Sequence, residues 1–245
     1  MSISFFHVAS KYDEATEVIV ENARKHHPDS YYFLGVDGTD KSYKEVAEKY
    51  NCDYVPYAKK LGPPVYPNGW NLEGTLEFLQ RFYDSCSRSN SSHIVMMEDD
   101  VLIMKPVTVE QEWEHAAADT KIGNVIPEFV HDLIEQHCGK RPTFKQYGAG
   151  GGSIFNAKTF LENYDRVIKF FEDHSEHIMH NLYPTFGWID CFMVIYYMLC
   201  GKDYQRNPYL IDTNTHHNNF DFDGFVNNLS PEIQIVNNYK KFYYE

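Results

Sequence analysis

The feature that most narrows the possible folds is an alternation of strand-like and helix-like segments over residues 1–104. Ile3 to Val8 is an apolar run of β type, and Asp13 then caps a helical stretch whose Ala15, Val18 and Ile19 fall on one face. That stretch should stop before Pro28, because a residue preceding proline avoids the α region. Tyr31 to Val36 is a second strand, closed by the turn pair Asp37-Gly38. Ser42 with Glu45 has the spacing of a capping box and opens a short helix to about Tyr50. Asp53 to Pro56 reads as a third strand, and Gly62 to Gly69, rich in proline, as a loop. A helix from Leu72 to about Cys86 stacks Leu76, Leu79 and Tyr83, and His93 to Met97 is a fourth strand. An order β-α-β-α-β-α-β builds a mostly parallel central sheet with helices on both faces, an α/β fold.

The rest of the chain is less regular. Pro127 to Cys138 reads as a helix ended by Gly139, and Gly148 to Gly152 is glycine-rich. Asn156 can cap a helix carrying Phe160, Leu161, Tyr164, Val167, Ile168 and Phe171 on one face. Asp190 to Leu199 is a mostly apolar helix or strand, and from Lys202 onward there is little periodicity. With no internal repeat and no linker, the 245 residues suggest one domain over 1–245.

Charge narrows the partners. Lys and Arg total 22 against 35 Asp and Glu, a net charge of −13, which argues against a nucleic-acid or anionic-membrane binder. It leaves room for a nucleotide whose phosphates are bridged by a divalent cation held on carboxylates. The five cysteines form no C-x-x-C pair, so neither a disulfide framework nor a zinc ribbon is expected. Met1 to Ser10 is too polar for a signal peptide, and the longest apolar run, Cys191 to Cys200, is half the length of a membrane span. The expectation is a cytoplasmic chain with no transmembrane segment.

The most informative stretch is Met96-Met97-Glu98-Asp99-Asp100-Val101-Leu102-Ile103. Three adjacent carboxylates repel one another and resist burial, yet apolar runs flank them on both sides. A hard divalent cation relieves that repulsion, since Mg²⁺ and Mn²⁺ take oxygen ligands, commonly one or two carboxylates plus substrate phosphates. In open α/β sheets ligands bind beyond the carboxyl ends of the strands, where this triplet falls.

Ile94-Val95-Met96-Met97-Glu98-Asp99-Asp100 resembles the Asp-X-Asp motif of GT-A fold glycosyltransferases, in its Glu-Asp-Asp variant, with Glu in place of the first Asp. The resemblance implies a GT-A-like, Rossmann-type sandwich, with a nucleotide-binding half over 1–104 and a sugar and acceptor half over 105–245. It implies Asp100 as the metal ligand for Mn²⁺ (or Mg²⁺), with Glu98 beside the ribose and Asp99 also on the donor side. His7, Val8 and Ser10 at the end of the first strand, and Asp37 at the end of the second, would line the base and ribose pocket. Asp37-Gly38 also reads as an ordinary turn.

Tyr147-Gly148-Ala149-Gly150-Gly151-Gly152-Ser153 resembles the segment lining the donor-sugar and acceptor cleft in that family, placing Gly150, Gly151 and Gly152 there. A flexible loop before a helix is the plainer reading. Phe186-Gly187-Trp188-Ile189-Asp190 sits where inverting members carry an aromatic residue and then the catalytic base, which implies Trp188 against the sugar and Asp190 as base. A helix cap is the alternative for Asp190. The resemblance also implies a histidine metal ligand near the C-terminal end, His217 or its neighbour His216.

The function implied is transfer of a sugar from a nucleotide-diphosphate donor, a UDP-sugar by analogy, to a hydroxyl of a carbohydrate or glycoconjugate acceptor, with inversion if Asp190 is the base. Two other readings stay open: a nucleotide-sugar hydrolase or nucleotidyltransferase on a similar sheet, and a non-catalytic carbohydrate- or cation-binding module. The glycine-rich loop with a basic residue that a nucleotidyltransferase would carry is missing from Ile3 to Asp13. His174, His177 and His180, like His131 and His137, lack H-E-x-x-H spacing and read as solvated helix faces. No G-x-S-x-G elbow is present, and Cys138 and Cys191 have no neighbouring base.

Overall fold

The computed structural model describes residues 1–9, 14–58, 72–118, 125–146, 148, 150–182, 188–213 and 222–237. The first part alternates as its pattern predicts: β1 (Ile3–Ala9), α1 (Glu14–His26), β2 (Tyr31–Asp37), α2 (Lys41–Lys49), β3 (Asp53–Tyr57), α3 (Leu72–Ser89) and β4 (His93–Met97). These strands are all parallel, with β1 between β2 and β4. Asp13 and the Gly62 to Gly69 stretch lie outside the described residues. The start of α2 departs from the expected capping box. Asp40 is the N-cap, and its carboxylate accepts from the Ser42 amide at 2.8 Å, placing negative charge at the positive end of the helix dipole.

The remainder contributes β5 (Leu102–Ile103), β6 (His115–Ala117), α4 (Glu128–Cys138), β7 (Ile154–Asn156), α5 (Ala157–Leu182), α6 (Trp188–Leu199), β8 (Tyr204–Arg206), β9 (Leu210–Asp212), α7 (Phe222–Asn227) and β10 (Ile235–Asn237). Among the described residues the main sheet has seven strands, in the order β3-β2-β1-β4-β7-β6-β8. Only β7 runs against the others, pairing antiparallel with both β4 and β6. A second sheet, β5-β10-β9, joins the segment after β4 to the last described residues.

Alternation along the strands sorts side chains onto two faces. Phe6, Phe33, Ile94, Met96 and Phe155 point toward α3, α5 and α6 in one buried cluster. Phe5, Tyr32, Val95, Met97 and Ile154 point the other way, toward Ile19, Val20 and Ala23 of α1. Helices thus cover both faces, which is why the central strands are continuous apolar runs. In α6 every residue from Cys191 to Leu199 is at most 4% exposed, so this apolar stretch is a helix buried on all sides. No helix among the described residues is long and apolar enough to cross a membrane.

The helix ends follow their sequence signals. The Asn156 side chain accepts from the Thr159 amide at 3.0 Å to cap α5, and Gly139 closes α4 at φ +70°, a left-handed value that glycine takes without a Cβ clash. His131 corrects the expectation of a solvated helix face: it is 1% exposed, and burial lowers its pKa. His174 and His177 lie against Phe170 and Phe129.

His115 in β6 is buried and stacks on Phe155 at 4.6 Å. Burial pushes its pKa down from 6.5 to about 3. The unfolded chain takes up this proton near pH 6.5, while the folded chain holds the ring neutral until about pH 3. The stability it contributes is therefore whole above pH 6.5 and is lost as the pH falls toward 3, by about 1.4 kcal/mol per unit. Urea denaturation of wild type and His115→Phe at pH 7.5 and pH 5 is expected to show the wild type losing about 2 kcal/mol more than the variant. Identical losses in the two proteins would remove this residue from the acid sensitivity.

Candidate functional site

From β1 the chain runs to β2 and β3 on one side, then returns to β4 on the other side of β1. The crevice beyond the carboxyl ends of β1 and β4 is thus a topological switch point, the usual ligand site of open α/β sheets. His7 is in register with Met97, so Glu98, Asp99 and Asp100 come immediately beyond the paired strands. The Val101 amide donates to the Glu98 carbonyl at 3.1 Å and closes a turn around the three acids. Met97 before the turn and Val101 and Ile103 after it are buried. Both ends of the turn are thereby tied into the core, which holds the acids at its rim.

Asp99 pins this turn to the sheet. Its Oδ1 lies 3.0 Å from His7 Nε2 and accepts from the Thr16 hydroxyl at 2.8 Å. His7 is fully buried, and its Nδ1 lies 2.9 Å from the Tyr32 hydroxyl. A carboxylate only accepts, so His7 donates through Nε2, and in the neutral ring Nδ1 accepts from Tyr32. Burial drives the Tyr32 pKa far up, which keeps its proton in place. The side chains of His7 and Asp99 are therefore committed to a Tyr32–His7–Asp99–Thr16 chain that sets the position of Glu98 and Asp100. Val8, the next residue of β1, is partly buried against the core.

Asp37 ends β2 on the same edge of the sheet. Its carboxylate meets Arg81 Nη1 at 2.8 Å, with side-chain exposures of 1% and 0%. Arg81 Nε also lies 3.1 Å from Glu77, and its guanidinium sits 4.2 Å from the centre of the Tyr57 ring. Sequence reading passed over Arg81, although a signal was present. It shares the helical period of Gly74, Phe78 and Ser85, all on the buried face of α3.

The glycine segment, expected to line the donor-sugar and acceptor cleft, lies beside the acidic turn. Gly150, Gly151 and Gly152 are all buried, packed onto the end of β4. The Gly152 amide donates to the Met96 carbonyl at 2.7 Å, and the Met96 amide to the Ser153 carbonyl at 2.8 Å. Gly152 has φ +81°, and a β-carbon there would meet Ile235 and Leu210 below 3 Å. A β-carbon on Gly151 would lie 2.5 Å from Asn237 Oδ1 and 3.2 Å from Glu98 Oε2. The second sheet thus brings Asn237, which no sequence signal singled out, to the acidic turn.

Trp188 and Asp190 occupy the first turn of α6, and their side chains lie outside the described residues. Ser10, Tyr147, His216 and His217 lie outside them as well. Among the described residues, no three His, Cys, Asp or Glu side chains are placed to hold a metal ion by themselves. The oxygens present still fit a hard divalent cation, which needs few protein carboxylates when substrate phosphates complete its shell. In support, Asn237 Oδ1 is buried with no hydrogen-bond partner among the described residues, and it and Glu98 Oε2 close on the same Gly151 position.

No family model matches the chain, and no curated protein matches it in sequence. Solved structures do resemble it. The galactosyltransferase LgtC, in complex with donor and acceptor sugar analogues, aligns with a TM-score of 0.52 at 14% identity, over 97% of this chain and 86% of that one. An active-site mutant of LgtC aligns with the same figures. At this identity the likeness is one of fold, and the chain shares the architecture of the GT-A glycosyltransferases, a mixed α/β sandwich on a mostly parallel central sheet.

Proposed function

We propose that this chain is a metal-dependent glycosyltransferase that moves a sugar from a UDP-sugar to a hydroxyl of a carbohydrate or glycoconjugate acceptor. The observation that carries this reading is the placement of Glu98, Asp99 and Asp100 in a braced turn at the β1–β4 switch point. The likeness to a galactosyltransferase crystallised with sugar analogues supports it. The net charge of −13 adds a physical reason for a cation, because an acidic cleft repels a bare diphosphate.

In this reading Asp100 holds Mn²⁺ or Mg²⁺, with His217 as a further ligand, and Glu98, assigned to the ribose side, also turns Oε2 toward Gly151 beside the turn. When bound, the ion neutralises charge growing on the leaving nucleotide diphosphate. Asp99 keeps the turn in place through His7 and Thr16. Val8 and Ser10 serve the base and ribose pocket. Trp188 packs against the sugar. The Asp190 carboxylate takes the acceptor hydroxyl proton as the new glycosidic bond forms and UDP departs. With that base opposite the leaving group, the anomeric centre inverts.

A thermal-shift series with UDP-sugars, each with and without Mn²⁺, tests the reading. At hundredfold excess over Kd the bound donor adds about 2.7 kcal/mol, a rise in Tm of roughly 5–10 °C for a chain this long. The rise is expected only with Mn²⁺ present, and NMR of the product formed from the stabilising donor reports the anomer. Absence of any Mn²⁺-dependent shift across UDP-sugars would overturn the proposal.

A further inference from the structure

We infer that Asn237 is itself an oxygen ligand of the divalent cation at the acidic turn, an inference that rests on the cation-dependent reading above. Asn237 is 3% exposed and ends β10, where it is in register with Asp212 of β9. Its backbone carbonyl accepts from the Thr213 amide at 3.1 Å, so its main chain is fixed. Its side-chain oxygen has no hydrogen-bond partner among the described residues. A buried amide oxygen without a donor is costly and rare, so the group is built for a partner.

The geometry points to what that partner is. Asn237 Oδ1 and Glu98 Oε2 flank the same point beside Gly151, at 2.5 Å and 3.2 Å from where a β-carbon would sit. Two electron-rich oxygens brought to one backbone position favour a positive centre within reach of both. Val101 Cγ2 lies 2.5 Å from the same point, an apolar neighbour that offers the two oxygens no donor. Glycine at 151 lets these groups close in, since a side chain there would clash with them. An amide carbonyl beside carboxylates is a hard donor of the kind Mg²⁺ and Mn²⁺ accept. The second sheet thereby gains a function: it carries an oxygen from the far end of the chain to the turn after β4.

Titration of the protein with Mn²⁺ alone, following free Mn²⁺ by electron paramagnetic resonance, tests this without recourse to activity. Asn237→Ala is expected to weaken Mn²⁺ at least about tenfold, no less than losing an outer partner of a metal site would. Asn237→Asp, which keeps an oxygen in place, is expected to bind as tightly as wild type or more tightly. Wild-type affinity in Asn237→Ala overturns the inference. So does weakened binding in Asn237→Asp, which would mean that the amide serves as a hydrogen-bond donor to Glu98. Should Asn237→Ala fail to fold, the comparison of Asn237→Asp with wild type decides alone. Asp100→Ala in the same titration separates the two levels. If it abolishes binding while Asn237→Ala does not, only the role of Asn237 falls. If Asp100→Ala binds like wild type, or wild type binds no Mn²⁺, the cation-dependent reading falls with it.

Discussion

Replacing Arg81 by methionine is expected to lower the unfolding free energy by about 3–5 kcal/mol, the cost of breaking a buried ion pair by removing one member. Asp37 and Arg81 have side-chain exposures of 1% and 0%, so water can neither screen the pair nor rescue the carboxylate left behind. Loss of the guanidinium over Tyr57 adds to the effect. Glu77, with 14% of its side chain exposed, can turn toward solvent, which places most of the penalty on Asp37. The double variant Asp37→Leu/Arg81→Met removes both charges and is expected to recover much of the loss, because an apolar pair of similar volume commonly matches a buried ion pair. Urea denaturation of wild type, both single variants and the double variant measures the coupling. A loss below about 1 kcal/mol in Arg81→Met would show that this ion pair does not hold β2 to α3.

How much of this was legible in the sequence depends on element length and on the distance between partners. The four parallel strands from β1 to β4 were readable because each is an apolar run of five to seven residues between helical patterns. The strands β5 to β10 have two or three residues each, too few to display a period. Their partners are also remote: Ile235 pairs with Ile103 and with Leu210, contacts that no local pattern announces.

The acidic triplet could be placed at a strand end from its flanking apolar runs alone. The internal bond from His7 to Asp99 could not, because it depends on the register that sets His7 opposite Met97. Both residues were expected to face a ligand, and the structure turns their side chains toward each other. Gly151 shows the same limit. Its glycine content was visible, while the reason for it, Asn237 and Glu98 on either side, required the second sheet.

Asp100→Ala and Asp99→Ala are expected to fail in different ways, and the difference tests the division of labour within the turn. Asp100 is buried at the end of the turn, beside two other carboxylates. Removing its charge relieves repulsion within the triplet, so stability should hold or rise. On the proposed function Asp100 is a metal ligand, so its loss should weaken Mn²⁺-dependent UDP binding by about 100-fold or more, beyond the usual effect of losing an outer partner of a metal site. Asp99→Ala instead strips His7 Nε2 and the Thr16 hydroxyl of their acceptor. A buried donor left without a partner costs about 1–3 kcal/mol, so this variant should lose stability in the absence of any ligand. Its UDP affinity should fall less than that of Asp100→Ala, because the proposed ligand Asp100 remains and only its placement loosens. Calorimetric titration of UDP with Mn²⁺ or with EDTA, beside urea denaturation of each variant, reads both quantities. Equal losses of stability in the two variants would deny Asp99 its bracing role. Undiminished Mn²⁺-dependent affinity in Asp100→Ala would deny Asp100 the cation. The bracing role rests on bonds seen in the structure and the cation on chemistry they make available, so the first result can stand even where the second fails.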